Sequence, residues 1–272
     1  MPAMRNLLIE PARVARAAPC FDKPGASDRM ITPLIRKLES FELLSDQAKT
    51  RLNGLVARFS SHAAREDIVR EYETRGDMRI LVDGVACRYK VFDGGRQAIL
   101  GFLLPGDPDH ADGALNLFDH HIGTITSCRV VHVARTAMDM AIRDYPAIGR
   151  ALRRIIAIEE ATLRVWLANM GQRAADKQAA HLFCELRTRM AAAGLGGEDW
   201  FHNPFTQEQF ASVLGITAVH MNRMVQYLRE LKLVYIDGRI IRFPDVSRIE
   251  GFADFHPGYL LGGGFSPAME RE

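Results

Sequence analysis

The chain has 272 residues, 47% of them hydrophobic and 25% charged, with a formal net charge of +2. Those proportions belong to a soluble globular protein long enough for two domains. No apolar run approaches the ~20 residues that a membrane helix needs. The small net charge still allows a polyanionic partner bound through one basic face. The four cysteines, Cys20, Cys87, Cys128 and Cys184, stand far apart with no CxxC or CxxxC pair. That spacing argues against a zinc or iron–sulfur centre built from a local cluster. Isolated thiols in a chain without a secretion signal fit a reducing compartment, so a cytoplasmic protein is expected.

Residues 1–29 read as a flexible tail, because the apolar run Leu7–Ile9 is too short for a signal-peptide core. Met30 is an alternative start. Residues 31–75 read as helical, with Ser45 capping a helix that starts at Asp46. From Met78 the pattern changes to short strands. Asp83-Gly84 predicts a hairpin between two of them, Asp93-Gly94-Gly95 a second turn, and Pro105-Gly106-Asp107 the end of a third strand. Apolar runs at Gly123–Thr126 and Arg129–Val133 complete an antiparallel set that suggests a sandwich or barrel.

Helical periodicity returns at Ala137 and persists to about Ala193. Leu152, Ile156, Glu159, Leu163, Trp166 and Met170 alternate at spacings of four and three, a heptad-like seam broken once by Glu159. Ile155 and Ile158 lie off that seam, which implies a helix packed both on its own barrel and on a second subunit. Leu152, Ile156, Leu163, Trp166 and Met170 are therefore the candidate dimer contacts. Residues 174–193 read as another amphipathic helix, stopped by Gly194.

The stretch Thr206–Leu231 reads as a helix-turn-helix. Counting from Gln207, the small residue Ala211 falls at position five, where two helices cross closely, and Gly215 at position nine, where the turn needs φ > 0. Phe210, Leu214, Ile216, Met221 and Met224 occupy the packing positions. Thr217 supplies an N-cap oxygen for the second helix. That helix displays Ala218, His220, Asn222 and Arg223, small, polar and basic side chains suited to a major groove. The following LVYIDGRIIRF forms a hairpin around Asp237-Gly238, a wing that puts Arg239 and Arg242 within reach of phosphate. The segment from Gly251 reads as a loose, glycine-rich tail.

The order of barrel, long helix and winged helix-turn-helix resembles the Crp/Fnr family of transcription regulators, from about Thr32 to about Leu261. The motifs that carry the resemblance are PLIRKLESFELLS, FLLPGD, IGTITSCRVVHV, AAHLFCELRTRM and LGITAVHMNRMVQYLRELKLV, with a closing FADFHPGYL. It implies an α+β chain with a flexible tail at 1–29 and a cyclic-nucleotide-binding-like antiparallel β-barrel of jelly-roll type at 30–145. A dimerisation helix would follow at 146–172, a C-terminal winged helix-turn-helix at 173–250 and a tail at 251–272. It further implies a homodimer on double-stranded, two-fold symmetric promoter DNA, tuning transcription and therefore meeting RNA polymerase, with no membrane and no enzymatic role. Thr206, Gln207, Thr217, Ala218, Val219, His220, Asn222, Arg223 and Arg239 are the DNA-contact candidates.

Two departures from the family pattern matter. Where many members carry a glutamate in the first turn of the recognition helix, this chain has Val219, which can touch a thymine methyl but cannot accept from cytosine. In GDPDHADGALNLFDHHIGTITSC there is no ribose-binding glutamate, and no arginine stands before Thr124 or Thr126 to meet a cyclic phosphate. A buried phosphate would lack its charge partner, so cyclic AMP is disfavoured and the effector is unknown. The oxygen-sensing branch needs an N-terminal cysteine cluster, and Cys20 stands alone, which disfavours an iron–sulfur sensor. A small-molecule, haem or redox gate, or a barrel serving as a protein-docking module, are the alternatives. His110, His120 and His121 lie near Asp107, Asp109, Asp112 and Asp119 and read as a polar loop more readily than a metal or haem site. Cys184, flanked by Leu182, Phe183 and Leu186, reads as core rather than as a redox centre.

Overall fold

The computed structural model describes residues 31–109 and 116–261. Two short helices, α1 (Thr32–Glu39) and α2 (Asp46–Asn53), open the fold, and Ser45 Oγ caps α2 by accepting from Ala48 N–H. The helical reading of 31–75 overran. After Asn53 the chain forms β1 (Val56–His62), which pairs along its length with β7 (Cys128–Val133), and β2 (Asp67–Val69). Long-range pairing overrides local propensity there, and the one local signal is the Asn53-Gly54 dipeptide that ends α2.

The strands β3 (Met78–Asp83), β4 (Ala86–Val91), β5 (Gln97–Leu103) and β6 (His121–Thr124) complete two antiparallel sheets of order β1-β7-β3 and β2-β6-β4-β5. The Asp83-Gly84 hairpin does not exist. β3 and β4 belong to different sheets, and the turn is a corner between them. Gly84 has φ +89°, and a Cβ there would stand 2.2 Å from the Ser127 carbonyl, so the corner demands glycine for space as well as for its backbone angle. The turn at Asp93–Gly95 does join paired strands, β4 and β5.

Alternation along the strands divides the apolar residues among three cores. Leu81, Ala86, Leu103, Ile122 and Val130 face one another between the sheets. Ile80, Val131 and Val133 point the other way, onto the first helices and the start of the long helix. Cys87, Tyr89, Ile99 and Phe102 turn outward into the core of the C-terminal unit. Strand β7 is thus buried on both faces apart from Arg129, whereas β1 stays largely exposed and carries Arg58, Ser60, Ser61 and His62.

Helix α3 (Arg135–Asp144) leads into α4 (Pro146–Gln172), whose bounds match the expected long helix. Helix α5 (Ala175–Ala192) is not amphipathic as expected. Residues 178–186 are buried without a break, enclosed by the helices and strand of the C-terminal unit. That unit continues with β8 (Trp200–His202), α6 (Gln207–Leu214), α7 (Ala218–Glu230), β9 (Tyr235–Asp237), β10 (Ile240–Arg242) and α8 (Val246–Ala253), the strands forming a sheet of order β8-β10-β9. The segment from Gly251 to Leu261 is not loose. Ala253, Phe255 and Leu260 are buried, and Tyr259 donates its hydroxyl hydrogen to Glu185 at 2.9 Å. Aromatic side chains, rather than the glycines beyond them, decide the fate of this stretch. Residues 1–30, 110–115 and 262–272, and with them Cys20, Met30, His110 and Asp112, lie outside the described residues.

Candidate nucleic-acid interface

The site begins with two capped helices. Thr206 caps α6 through a reciprocal pair, its hydroxyl accepting from Gln209 N–H at 3.2 Å while Gln209 Oε1 accepts from Thr206 N–H at 2.8 Å. The helix ends at Gly215, whose φ of +66° and ψ of +25° form a left-handed cap. Two residues later the Thr217 hydroxyl accepts from His220 N–H at 3.2 Å and starts α7. Phe210, Ala211, Leu214 and Met221 are buried where the helices meet, and Ile216 and Met224 pack against them. Every packing position expected of the motif is filled as expected.

What remains outside is the surface that can meet a ligand. Val219 is 65% exposed, and His220, Asn222 and Arg223 are exposed beside it. Ala218 and Gln207 are half-buried, Thr206 and Thr217 exposed. Arg223 makes no ion pair or hydrogen bond among the described residues, so its five donors are available. Arg239 and Arg242 are exposed at the β9–β10 hairpin, where Gly238 takes φ +56°. The Arg242 guanidinium sits 5.9 Å from the centre of the Trp200 ring. Trp200 lies on β8, a strand that sequence reasoning missed: it is three residues long and follows a run of glycines.

Residues 177–252 match the model of the Crp-like helix-turn-helix domain. The nitrogen fixation regulation protein FixK of Bradyrhizobium diazoefficiens is 26% identical over 210 residues, covering 76% of this chain and 87% of that protein. The transcriptional activator FnrL of Cereibacter sphaeroides is 23% identical over 187 residues, covering 68% and 75%. Among solved structures, FixK2 from Bradyrhizobium japonicum superposes with a TM-score of 0.65 at 23% identity, covering 72% of this chain and 97% of that one. Residues 177–252 are a Crp-like helix-turn-helix domain, and the chain as a whole is similar to Crp/Fnr regulators. It is a DNA-binding transcription regulator with a sheet-rich N-terminal domain, and the relatives it matches are transcriptional regulators rather than enzymes.

In this regulator the long helix α4 leaves only part of the expected seam exposed. Leu152 is buried in the N-terminal core, and Trp166 is buried against α5, donating its indole N–H to Glu185 at 2.8 Å. Neither can face a second subunit in this arrangement. Glu159 does not interrupt an interface, because it turns to the N-terminal sheets and pairs with Arg88 of β4 at 3.0 Å. The apolar residues left in solvent are Leu163 (47%), Leu167 (69%) and Met170 (47%), with Ile156 half-buried at the head of the same row. Leu167 was missed because it fell one position from the presumed seam.

Charged side chains of the N-terminal sheets meet in pairs. Arg79 meets Asp109 and Glu73, and Arg88 donates to the carbonyls of Pro108 and Asp109 besides Glu159. Burial works against ionisation of Asp107, yet Lys37 and Arg189 hold its carboxyl below the usual carboxylate range. The gap between the sheets, lined by Arg79, Leu103, Asp109 and Ile122 among others, has room for about one water molecule. His120 bonds Asp119 at 2.8 Å and His121 stacks on Tyr89. Among the described residues no group of three His, Cys, Asp or Glu side chains is placed to hold a metal. Burial pushes the Cys184 thiol up to about 12, which keeps it protonated at neutral pH. No helix among the described residues is long and apolar enough to cross a membrane.

Proposed function

We propose that the chain acts in the cytoplasm as a homodimer on a two-fold symmetric promoter site, with α7 of each copy in the major groove. The observation that carries this reading is the exposed, unpaired Arg223 on a capped helix inside a Crp-like domain. Arg223 reads a guanine edge through O6 and N7, and Val219 meets a thymine methyl. His220 and Asn222 set specificity beside them, Ala218 lets the helix approach closely, and Thr206, Gln207, Thr217 and Arg239 hold register on phosphates. The dimer seam is Ile156, Leu163, Leu167 and Met170, spaced by seven, four and three residues. It sets the two α7 helices about 34 Å apart, one turn of DNA. Promoter-bound dimers of this kind meet RNA polymerase.

The sensor domain does not take cyclic AMP. Supporting this are the cassette without its glutamate and arginine, the neutralised Arg79 and Arg88, and a gap between the sheets far smaller than a nucleotide. Titrating labelled operator with wild type and Arg223→Ala tests the central role. The variant should lose about 1–3 kcal/mol on the proper site, with relaxed preference at the guanine position. Unchanged affinity and selectivity would remove Arg223 from the readout. A thermal shift with cyclic AMP tests the sensor reading, and a saturable shift would overturn it.

A further inference from the structure

Strand β5 is the outer strand of its sheet, bonded to β4 alone. Such an edge leaves N–H and C=O groups that must be covered. Ile99 N–H and Gln97 C=O, two residues apart and on the same side, are both met by one hydroxyl. Ser212 Oγ accepts from Ile99 N at 3.0 Å and donates to Gln97 O at 3.1 Å. Ser212 lies on α6, the first helix of the helix-turn-helix. Further along β5, beyond a bulge where the register skips Leu100, the Phe102 carbonyl accepts from Arg189 Nη2 of α5 at 2.7 Å. Arg189 in turn is held by Glu185 at 3.3 Å. The contact is apolar as well as polar. Ile99 and Phe102 share a core with Phe205, Phe210 and Val213, and the Phe102 and Phe205 ring centres are 4.3 Å apart. The edge of the sensor sheet therefore grips the C-terminal unit by α5 and α6, while the Val219, His220, Asn222 and Arg223 face of α7 stays in solvent.

We propose that Ser212 and Arg189 are positioning residues that index the DNA-binding unit on the edge of the sensor sheet, and that this docked arrangement is the one competent for DNA. The proposal rests on the DNA-binding role of α7. Docking and DNA binding are then linked, and linkage is reciprocal. Whatever factor docking contributes to DNA affinity, DNA must return as added protection of the docked contact. A serine that merely stabilised the fold would leave Ile99 protected by duplex no more than core amides such as that of Val131, so the linkage is read as the excess protection at Ile99.

The test uses the full chain and a duplex enriched from a random pool. Hydrogen exchange is followed at the Ile99 amide, with and without the duplex, in wild type and Ser212→Ala. Loss of this hydroxyl should speed Ile99 exchange in the free protein and weaken duplex binding by about tenfold, the worth of roughly one hydrogen bond. Adding duplex to wild type should slow Ile99 exchange several-fold, and in Ser212→Ala should slow it less. Faster Ile99 exchange on adding duplex would make the docked form the silent one and overturn the proposal. Unchanged exchange with unchanged Ser212→Ala affinity would uncouple docking from DNA and overturn it too. Failure of wild type to enrich any duplex strikes at the role of α7 itself, and Ile99 exchange in the free variant then reports separately on the contact.

Discussion

Replacing Glu185 by leucine removes the acceptor on which three elements converge. Its carboxylate is fully buried and takes hydrogen bonds from Trp166 Nε1 on α4 at 2.8 Å, Tyr259 Oη of the C-terminal segment at 2.9 Å and Arg189 Nη1 at 3.3 Å. An indole or phenol donor left without a partner in the interior costs about 1–3 kcal/mol. Arg189 keeps Phe102 O and Asp107, so its charge is not abandoned. Tyr259 is only partly buried and can turn its hydroxyl toward water. The sum for Glu185→Leu is therefore about 3–5 kcal/mol, at the level of a broken buried ion pair. Urea unfolding followed through Trp166 and Trp200, the two tryptophans of the chain, measures it. Glu185→Gln, which retains one acceptor oxygen, should lose less. In a double-mutant cycle Glu185→Leu and Tyr259→Phe should be non-additive, because both remove the same bond. A loss under about 1 kcal/mol for Glu185→Leu, or strict additivity with Tyr259→Phe, would refute the convergence of these elements on one carboxylate.

Other consequences are smaller in scope. Gly84→Ala puts a Cβ 2.2 Å from the Ser127 carbonyl at a φ of +89°. It should cost about 3 kcal/mol or more, read as a fall in melting temperature, and a change within error would contradict the corner assignment. Thr217→Ala should cost about 1 kcal/mol through the lost cap, with operator affinity falling in parallel in a gel-shift titration. His181 is packed between Phe255 and Tyr259. Burial, reinforced by Arg173, lowers its pKa to about 4. Its contribution is therefore complete above the unfolded value of about 6.5 and is lost as pH falls from there toward about 4. An NMR titration of the ring that gave a pKa near 6.5 would deny this burial.

Legibility was uneven along the chain, for physical reasons. The helix-turn-helix was readable residue by residue, because a left-handed glycine, a threonine cap and a 3.6-residue apolar period are local requirements met within Thr206–Leu231. The long helix was readable in extent but not in facing. Six apolar or mixed positions fit a heptad, yet Leu152, Glu159 and Trp166 are claimed by partners distant in sequence: the N-terminal core, Arg88 and Glu185. Asp83-Gly84 shows the same limit. A turn dipeptide specifies a change of direction, and only the pairing of β3 with β7 and of β4 with β5 and β6 decides whether that change makes a hairpin or a corner. The C-terminal FADFHPGYL contains residues that bury, but their pockets are made by α4 and α5. Among the DNA-contact candidates, the exposure of Arg223, His220 and Asn222 followed from helical phase alone.

Selection of duplexes from a random pool by the full chain measures the central claim most directly. Enriched sites should be inverted repeats with half-site centres about one helical turn apart, each half carrying a guanine whose preference disappears with Arg223→Ala. Enrichment of an asymmetric single site, or of the same repeat with undiminished guanine preference by Arg223→Ala, would contradict it.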